Sequence, residues 1–299
     1  MSKARHLSPA AAFAIAAAGI GLFSVMDAFM KSLTLALGVY NALVWRTGLS
    51  AIVGGVAWKA SGGGIPSARA ARLHLVRGGI TAAMALLFFW GLARVPMAQA
   101  ISLSYIAPLL ALLLGAVFLG ERVGPRVVLA SAAALAGVVV VLAGQSRAAL
   151  GDEAFYGALA VLVSAVLYAV NLILARLQAQ AAPPGEIAFF QSGIVAGALA
   201  LAAPWLLALP PVELWWQIVC GSLLATGSLI LLGWAYAHGD AGYLATTEYT
   251  SFLYAAVLGW FVFGEAVSLF TVLGAGVIVA ACLWGARAPV KVPQSVEVA

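Results

Sequence analysis

Four charged residues lie inside otherwise apolar runs of this chain: Asp27, Lys31, Arg46 and Glu248. A charge at the centre of a bilayer span costs at least ~2.5 kcal/mol on insertion scales, so each needs a partner or a task. Asp27 and Lys31 are four residues apart, which places them one helical turn apart on the same face, where they can pair. Such a pair is either structural or part of gating and substrate binding. The planar fork of Arg46 can neutralise Asp27 or grip a carboxylate at two points. Glu248 sits beside Thr246, Thr247 and Tyr249 and could contact a substrate ammonium or carry a coupling proton.

Weaker polar groups surround these charges. Thr247, Ser251 and Tyr254 share one helical face, Ser164, Tyr168 and Asn171 form a second narrow stripe, and Ser102 and Tyr236 add hydroxyls. Stripes of this kind either line a solute path or hold helices together by hydrogen bonds. The aromatic residues Phe23, Phe88, Phe89, Trp90, Tyr105, Trp234 and Tyr249 accompany them, and an apolar pocket with a few polar groups suits an amphipathic solute. Trp90 and Trp234 fit an interfacial belt better, as do Trp205, Trp215, Trp216 and Trp284.

These residues must be held by membrane helices. The chain of 299 residues is 64% hydrophobic and 8% charged, and its mean hydropathy of +1.08 excludes a water-soluble fold. In lipid the backbone must satisfy its own hydrogen bonds, so apolar runs of ~20 residues are helices. Ten are expected: Pro9–Lys31, Val39–Lys59, Leu73–Ala93, Met97–Leu119, Val127–Ala143, Phe155–Arg176, Ile187–Leu207, Leu214–Ala237, Ala241–Phe263 and Val267–Gly285. The first reads as a retained span, because it passes through Asp27 and Lys31 with no cleavage segment. With the amino terminus in the cytoplasm, eleven basic residues flank that side and only Lys31, Arg94 and Arg147 the other, which places both termini inside. The net charge of +5 is therefore topological, and no nucleic acid is expected as a partner. Cys220 and Cys282 lie in apolar spans without metal-type spacing and read as packing residues.

The chain repeats itself. Shifted by 144 residues, Trp90 to Glu121 overlies Trp234 to Glu265 with nine of 32 pairs identical, among them Tyr105/Tyr249, Gly120/Gly264 and Glu121/Glu265. Earlier in each half one extra residue puts Lys31 over Arg176 and Thr47-Gly48 over Ser192-Gly193. Five helices per half is an odd number, so the second half, 155–286, is expected to run upside down relative to the first, 9–143. Inverted repeats characterise secondary transporters, whose halves exchange conformations around one central site. The tail, 287–299, carries Pro289 and Pro293 and is expected to be a disordered cytoplasmic segment.

The segment LVRGGITAAMALLFFWGLARVPMAQAISLSYIAPLLALLLGAVFLGER, Leu75 to Arg122, resembles the EamA branch of the drug/metabolite transporter superfamily. Arg77, the small residues entering the fourth helix, the mid-helix Pro108 and Leu119-Gly120-Glu121 carry the resemblance, with Lys31 and Arg46 at matching basic positions. It extends over roughly residues 9 to 286 and implies an all-α bundle of ten helices around a central cavity, exporting small metabolites across the bacterial inner membrane. The general character is similar to the branch that exports aromatic and other amino acids, with cationic drugs or nucleoside-type metabolites as the other class. The second half departs from the pattern at Phe252, where the first has Pro108. Pro108 is the expected hinge.

Some charges read as scaffold. Glu121 and Glu265 stand at tight turns beside glycines, where a carboxylate favours the exposed amides of the next helix's start. His74 and Arg77 lie where the third helix enters the membrane and are expected to snorkel. Ala133 with Gly137, and Gly276 with Ala280, would let the fifth and tenth helices pack closely, in a possible homodimer. An intramembrane enzyme would need a nucleophile, base or metal cluster, yet the histidines, His6, His74 and His238, all fall near span edges, so neither enzyme activity nor a cofactor is expected. A channel would need a more continuous polar lining than these stripes offer.

Overall fold

The computed structural model describes residues 9–60, 62–119, 125–147, 151–238 and 245–286, and among them it contains helices and turns with no strand. The helices are α1 (Pro9–Ala60), α2 (Ala68–Leu92), α3 (Met97–Ser104), α4 (Ala107–Leu119), α5 (Pro125–Arg147), α6 (Gly151–Ala179), α7 (Pro184–Ala200), α8 (Ala203–Leu206), α9 (Trp215–His238), α10 (Thr250–Phe263) and α11 (Leu269–Ala286). Short 3-10 turns at Val212–Leu214 and Ala245–Tyr249 lead into α9 and α10.

A straight helix of the 52 residues in α1 would reach ~78 Å, more than twice a ~30 Å hydrocarbon core. It is instead a hairpin folded at Gly38, whose φ of 77° and ψ of 156° are open to glycine and closed to other residues. Phe29 before the corner packs edge-on against Trp216, and Trp45 after it packs against the adjacent Trp215, so the two arms lie side by side. Four stretches are individually long and apolar enough to cross a membrane: Ala11–Ala60, Ala68–Leu92, Gly151–Ala175 and Val212–Leu232. Four others, Met97–Ala111, Val128–Gly144, Gly185–Ala200 and Leu269–Trp284, are apolar but shorter.

The shortening has local causes. The expected fourth span divides where Tyr105 and Ile106 form a turn between α3 and α4, with Pro108 as the second residue of α4. Proline has no N–H to give the preceding turn, so the helix breaks there. The expected ninth span begins as the 3-10 turn Ala245–Tyr249 before α10, although Phe252 replaces the proline. The two matched tyrosines have almost the same backbone, φ −65° and ψ −9° at Tyr105 against φ −70° and ψ −16° at Tyr249.

The elements interleave across the two halves of the chain. The first arm of α1 runs against α9, with Phe29 at Trp216 and Gly19 at Leu232. Its second arm runs against α7, with Tyr40 donating to the Leu199 carbonyl at one end and Trp58 stacked on Phe189 at the other. Helix α2 runs against α6, from His74 at Gln178 to Gly91 at Gly157. Helix α3 opposes α10, with Tyr105 beside Tyr249 and Met97 beside Glu265. Helix α5 opposes α11 backbone to backbone: a Cβ on Gly137 would stand 2.9 Å from the Gly274 carbonyl oxygen, and Gly144 abuts Phe270. Gly137 is therefore occupied within the chain, while Ala133, Gly276 and Ala280 face outward. One continuous core joins all these helices, from Met26, Met30 and Leu33 through Leu92, Met97 and Leu103 to Ile218 and Ile278. Trp205, Trp216 and Trp284 stay largely exposed, as belt residues do.

Candidate functional site

Where α3 gives way to α4 the last carbonyls of α3 lose their regular helical partners, and where the 3-10 turn opens into α10 the helical ladder changes pitch. Away from water such groups must find others. The Tyr105 hydroxyl crosses between the halves here: it lies 2.7 Å from Ser251 Oγ, which itself donates to the Glu248 carbonyl, 3.2 Å from the Tyr249 carbonyl oxygen and 3.3 Å from that of Glu248. In the opposite sense Cys282 Sγ donates to the Tyr105 carbonyl at 3.1 Å. The Tyr105 and Tyr249 rings meet edge to face with centres 5.3 Å apart. Both cysteines are free thiols, so Cys282 does more than fill space.

Asp27 lies about three turns before the Gly38 corner of α1 and is only 4% exposed. Its Oδ1 has no hydrogen-bond partner, and neither has the buried Nε of Arg46. The two side chains are close enough to interact electrostatically, yet no ion pair within 4.0 Å joins them among the described residues. Arg46 lies against α9, its Cδ 3.8 Å from where a Cβ on Gly221 would stand, while its carbonyl accepts from Ser222. Glu248 is part-buried in the 3-10 turn before α10 and has no ion-pair partner among the described residues.

The expected Asp27–Lys31 pair does not form. Lys31 Nζ donates instead to Glu265 Oε1 and, at 2.7 Å, to the Val95 carbonyl, and it stands 5.2 Å from the centre of the Phe263 ring. The other oxygen of Glu265 accepts the Met97 N–H at 2.8 Å. Glu265 is thus a helix cap, as its turn position suggests, but it caps α3 in the other half rather than the helix that follows it. Gly264, at φ 66°, ends α10 in the left-handed conformation and turns Glu265 back toward α3. The knot ties the end of one α1 arm to the α2–α3 and α10–α11 connections. Its partners by repeat register, Arg176 and Glu121, lie outside the residues whose side chains are described.

A second correction falls on His74 and Arg77. Neither snorkels: His74 is fully buried, its Nε2 2.9 Å from Glu186 Oε1 and its Nδ1 bonded to Gln178. Arg77 reaches Asn171 Oδ1 at 3.1 Å and Gln178 Oε1. Thr81 receives both Asn171 and Gln191, and Ser164 donates to the Met84 carbonyl at 2.9 Å. The α6 stripe therefore ties α6 to α2, with Tyr168 near Arg77. The remaining candidates scatter. Ser102 is fully buried and donates to the Gln99 carbonyl, Thr247 is fully buried, and the Tyr254 ring packs on Gly21. Phe88 meets Phe89 edge-on, Phe23 is 37% exposed, and the side chain of Tyr236 lies outside the described residues. A pocket of about 410 Å³ opens elsewhere, at the start of α2, and none of the expected site residues lines it.

An all-helical bundle of apolar, interleaved halves with several helices long enough to cross a bilayer has the makeup of an integral membrane protein. The chain belongs to the EamA-like transporter family, which matches it at residues 9–143 and again at 155–285. It is 28% identical to the pseudopaline exporter CntI of Pseudomonas aeruginosa over 268 residues, 87% of this chain and 90% of that one. It is also 31% identical to a riboflavin transporter of Rhizobium johnstonii over 197 residues, 65% of this chain and 63% of the relative. A solved crystal structure 22% identical to it superposes over 93% of this chain and 96% of that one with a TM-score of 0.62, which shows the shared fold. The protein is a membrane-embedded transporter of small molecules, not an enzyme.

Proposed function

We propose that this transporter exports small amphoteric metabolites, amino acids including aromatic ones, across the bacterial inner membrane by alternating access. In this reading ten helices cross the bilayer as two inverted five-helix repeats, 9–143 and 155–286, with both termini in the cytoplasm. The antiparallel pairing of α5 with its repeat counterpart α11, and of α3 with α10 from the matching fourth and ninth spans, supports that arrangement. The Lys31–Glu265 knot then closes the outer end.

The observation that carries the substrate class is the unmet pair, Asp27 Oδ1 and Arg46 Nε. Buried polar groups are nearly always hydrogen-bonded, and an unmet one costs ~1–3 kcal/mol, more when charged. A zwitterion fits both ends of this deficit: its carboxylate takes the Arg46 fork and its ammonium takes Asp27. The Tyr105–Tyr249 ring pair offers an apolar edge for an aromatic side chain. Counterflow in proteoliposomes tests the reading. Saturable exchange of radiolabelled phenylalanine, competed by other zwitterionic amino acids and lost in Arg46→Gln, is the expected result. Exchange insensitive to amino acids but competed by organic cations or nucleosides would reject the substrate class. A second reading, a flat heteroaromatic solute, is favoured by the resemblance to the riboflavin transporter and would show as competition by riboflavin in the same assay.

A further inference from the structure

The pocket of about 410 Å³ at the start of α2 is lined by Ala68, Arg69, Arg72, Leu73 and Leu177. Its composition is divided. Arg69 and Arg72 are three residues apart, so they project to one side of the helix, and both are exposed. Neither belongs to an ion pair among the described residues. They stand in the first turns of α2, which carry no acidic residue, and whose start is set by Ser67, its Oγ accepting the Ala70 N–H at 3.2 Å. The positive end of the helix therefore adds to two guanidinium groups. The floor is apolar, from Leu73 and Leu177, and the helix next carries Leu75 and Val76, 62% and 53% exposed.

A soluble anion would use the arginines and gain nothing from the leucines. An amphiphile uses both. We infer that this pocket is a binding site for the phosphate headgroup of an anionic phospholipid, with Arg69 and Arg72 on the phosphate and the acyl chains leaving along Leu73, Leu75 and Val76. Basic pockets between helices at a membrane face bind such headgroups, and two arginines near the surface favour an anionic over a neutral lipid by at least about tenfold. The site also borders the polar network: Leu177 precedes Gln178, which bonds both His74 and Arg77. A bound headgroup would pin α2 to α6 just where that network joins them to α7 through Glu186. The inference needs the chain in a membrane and does not depend on which solute it carries.

The test uses the full chain in detergent and native mass spectrometry, with phosphatidylglycerol and phosphatidylcholine of identical acyl chains as probes. One phosphatidylglycerol should remain bound at collision energies that strip phosphatidylcholine. Its retention should fall at least about tenfold in Arg69→Gln/Arg72→Gln, with elution profile and far-ultraviolet circular dichroism showing that the variant is folded. Lys59→Gln, which removes a charge near the same end but outside the pocket, should retain it. Equal loss in Lys59→Gln would reduce the effect to diffuse surface charge and overturn the site, as would unchanged retention in the double variant. Inorganic phosphate and glycerol 3-phosphate form the last arm: if either protects the protein against heat as well as phosphatidylglycerol at equal concentration, the site serves soluble anions and the lipid assignment fails.

Discussion

The knot at Lys31 and the pair at Asp27 and Arg46 are built from the same charges and treat them oppositely. At the knot every charged atom is matched: Lys31 meets Glu265 and the Val95 carbonyl, and Glu265 meets Lys31 and the Met97 amide. One turn away on the same helix, Asp27 Oδ1 is buried without a partner, and Arg46 Nε is likewise bare. A matched set of buried charges holds parts together, and its removal is felt as lost structure. An unmatched set costs stability in the empty protein, and that cost is recovered when a ligand supplies the complementary groups. In this chain the first kind joins loops from both halves at one end, and the second lies among the helices.

That contrast can be broken at either side. The largest effect is expected from Lys31→Met, which strands the Glu265 carboxylate; cutting one member of a buried pair costs ~3–5 kcal/mol. It should lower the thermal midpoint in detergent sharply, and Lys31→Met/Glu265→Met should restore most of it. If the double variant is as unstable as the single one, the pair is not what holds that end. Arg46→Gln should show the reverse profile, with stability equal to the parent or higher but zwitterion exchange reduced ~10- to 100-fold, the worth of a charged hydrogen bond. Asp27→Asn comes next, ~10-fold in exchange, since a neutral amide still offers its oxygen to an ammonium. A fall in stability matching the fall in transport for either variant would move both residues to the scaffold. The smallest effect belongs to Tyr105→Phe, which removes the hydroxyl that bonds Ser251 across the halves and costs ~1 kcal/mol; unfolding in urea, with Tyr249→Phe alongside, measures it.

How much of this could be read beforehand depended on distance along the chain. Apolar run length and the gap between the first two spans placed the corner near Gly38, because helix length and bilayer thickness are local quantities. Pro108 announced the break beside it through its missing N–H. The matching break before Thr250 carries no proline and stayed hidden; what faces it, Tyr105 against Tyr249, comes from the other half of the chain. The same limit explains Lys31. Its i−4 neighbour Asp27 was the only acid within reach in sequence, whereas Glu265 is 234 residues away. His74 and Arg77 read as snorkelling for want of visible partners, because Glu186, Gln178 and Asn171 lie on helices of the other half. One signal did point to the knot: the repeat register laid Arg176 over Lys31 and Glu121 over Glu265, so a basic and an acidic residue recur together in both halves. The bare state of Asp27 and Arg46 had no such signal, since two charges in one apolar region invite the assumption that they meet.

The reach of the Tyr105 hydroxyl across the molecule bears on how the protein is made. A ribosome that has delivered only the first 143 residues has produced one side of a shared bond: the hydroxyl is present, but its partners, Ser251 and the Tyr249 carbonyl, are still to be translated. Until they arrive, the nascent first half keeps a polar group in lipid with nothing to satisfy it, and so stays exposed to quality-control proteases. Separated halves, each expressed alone, are expected to be short-lived, and their joint production in one cell should rescue both.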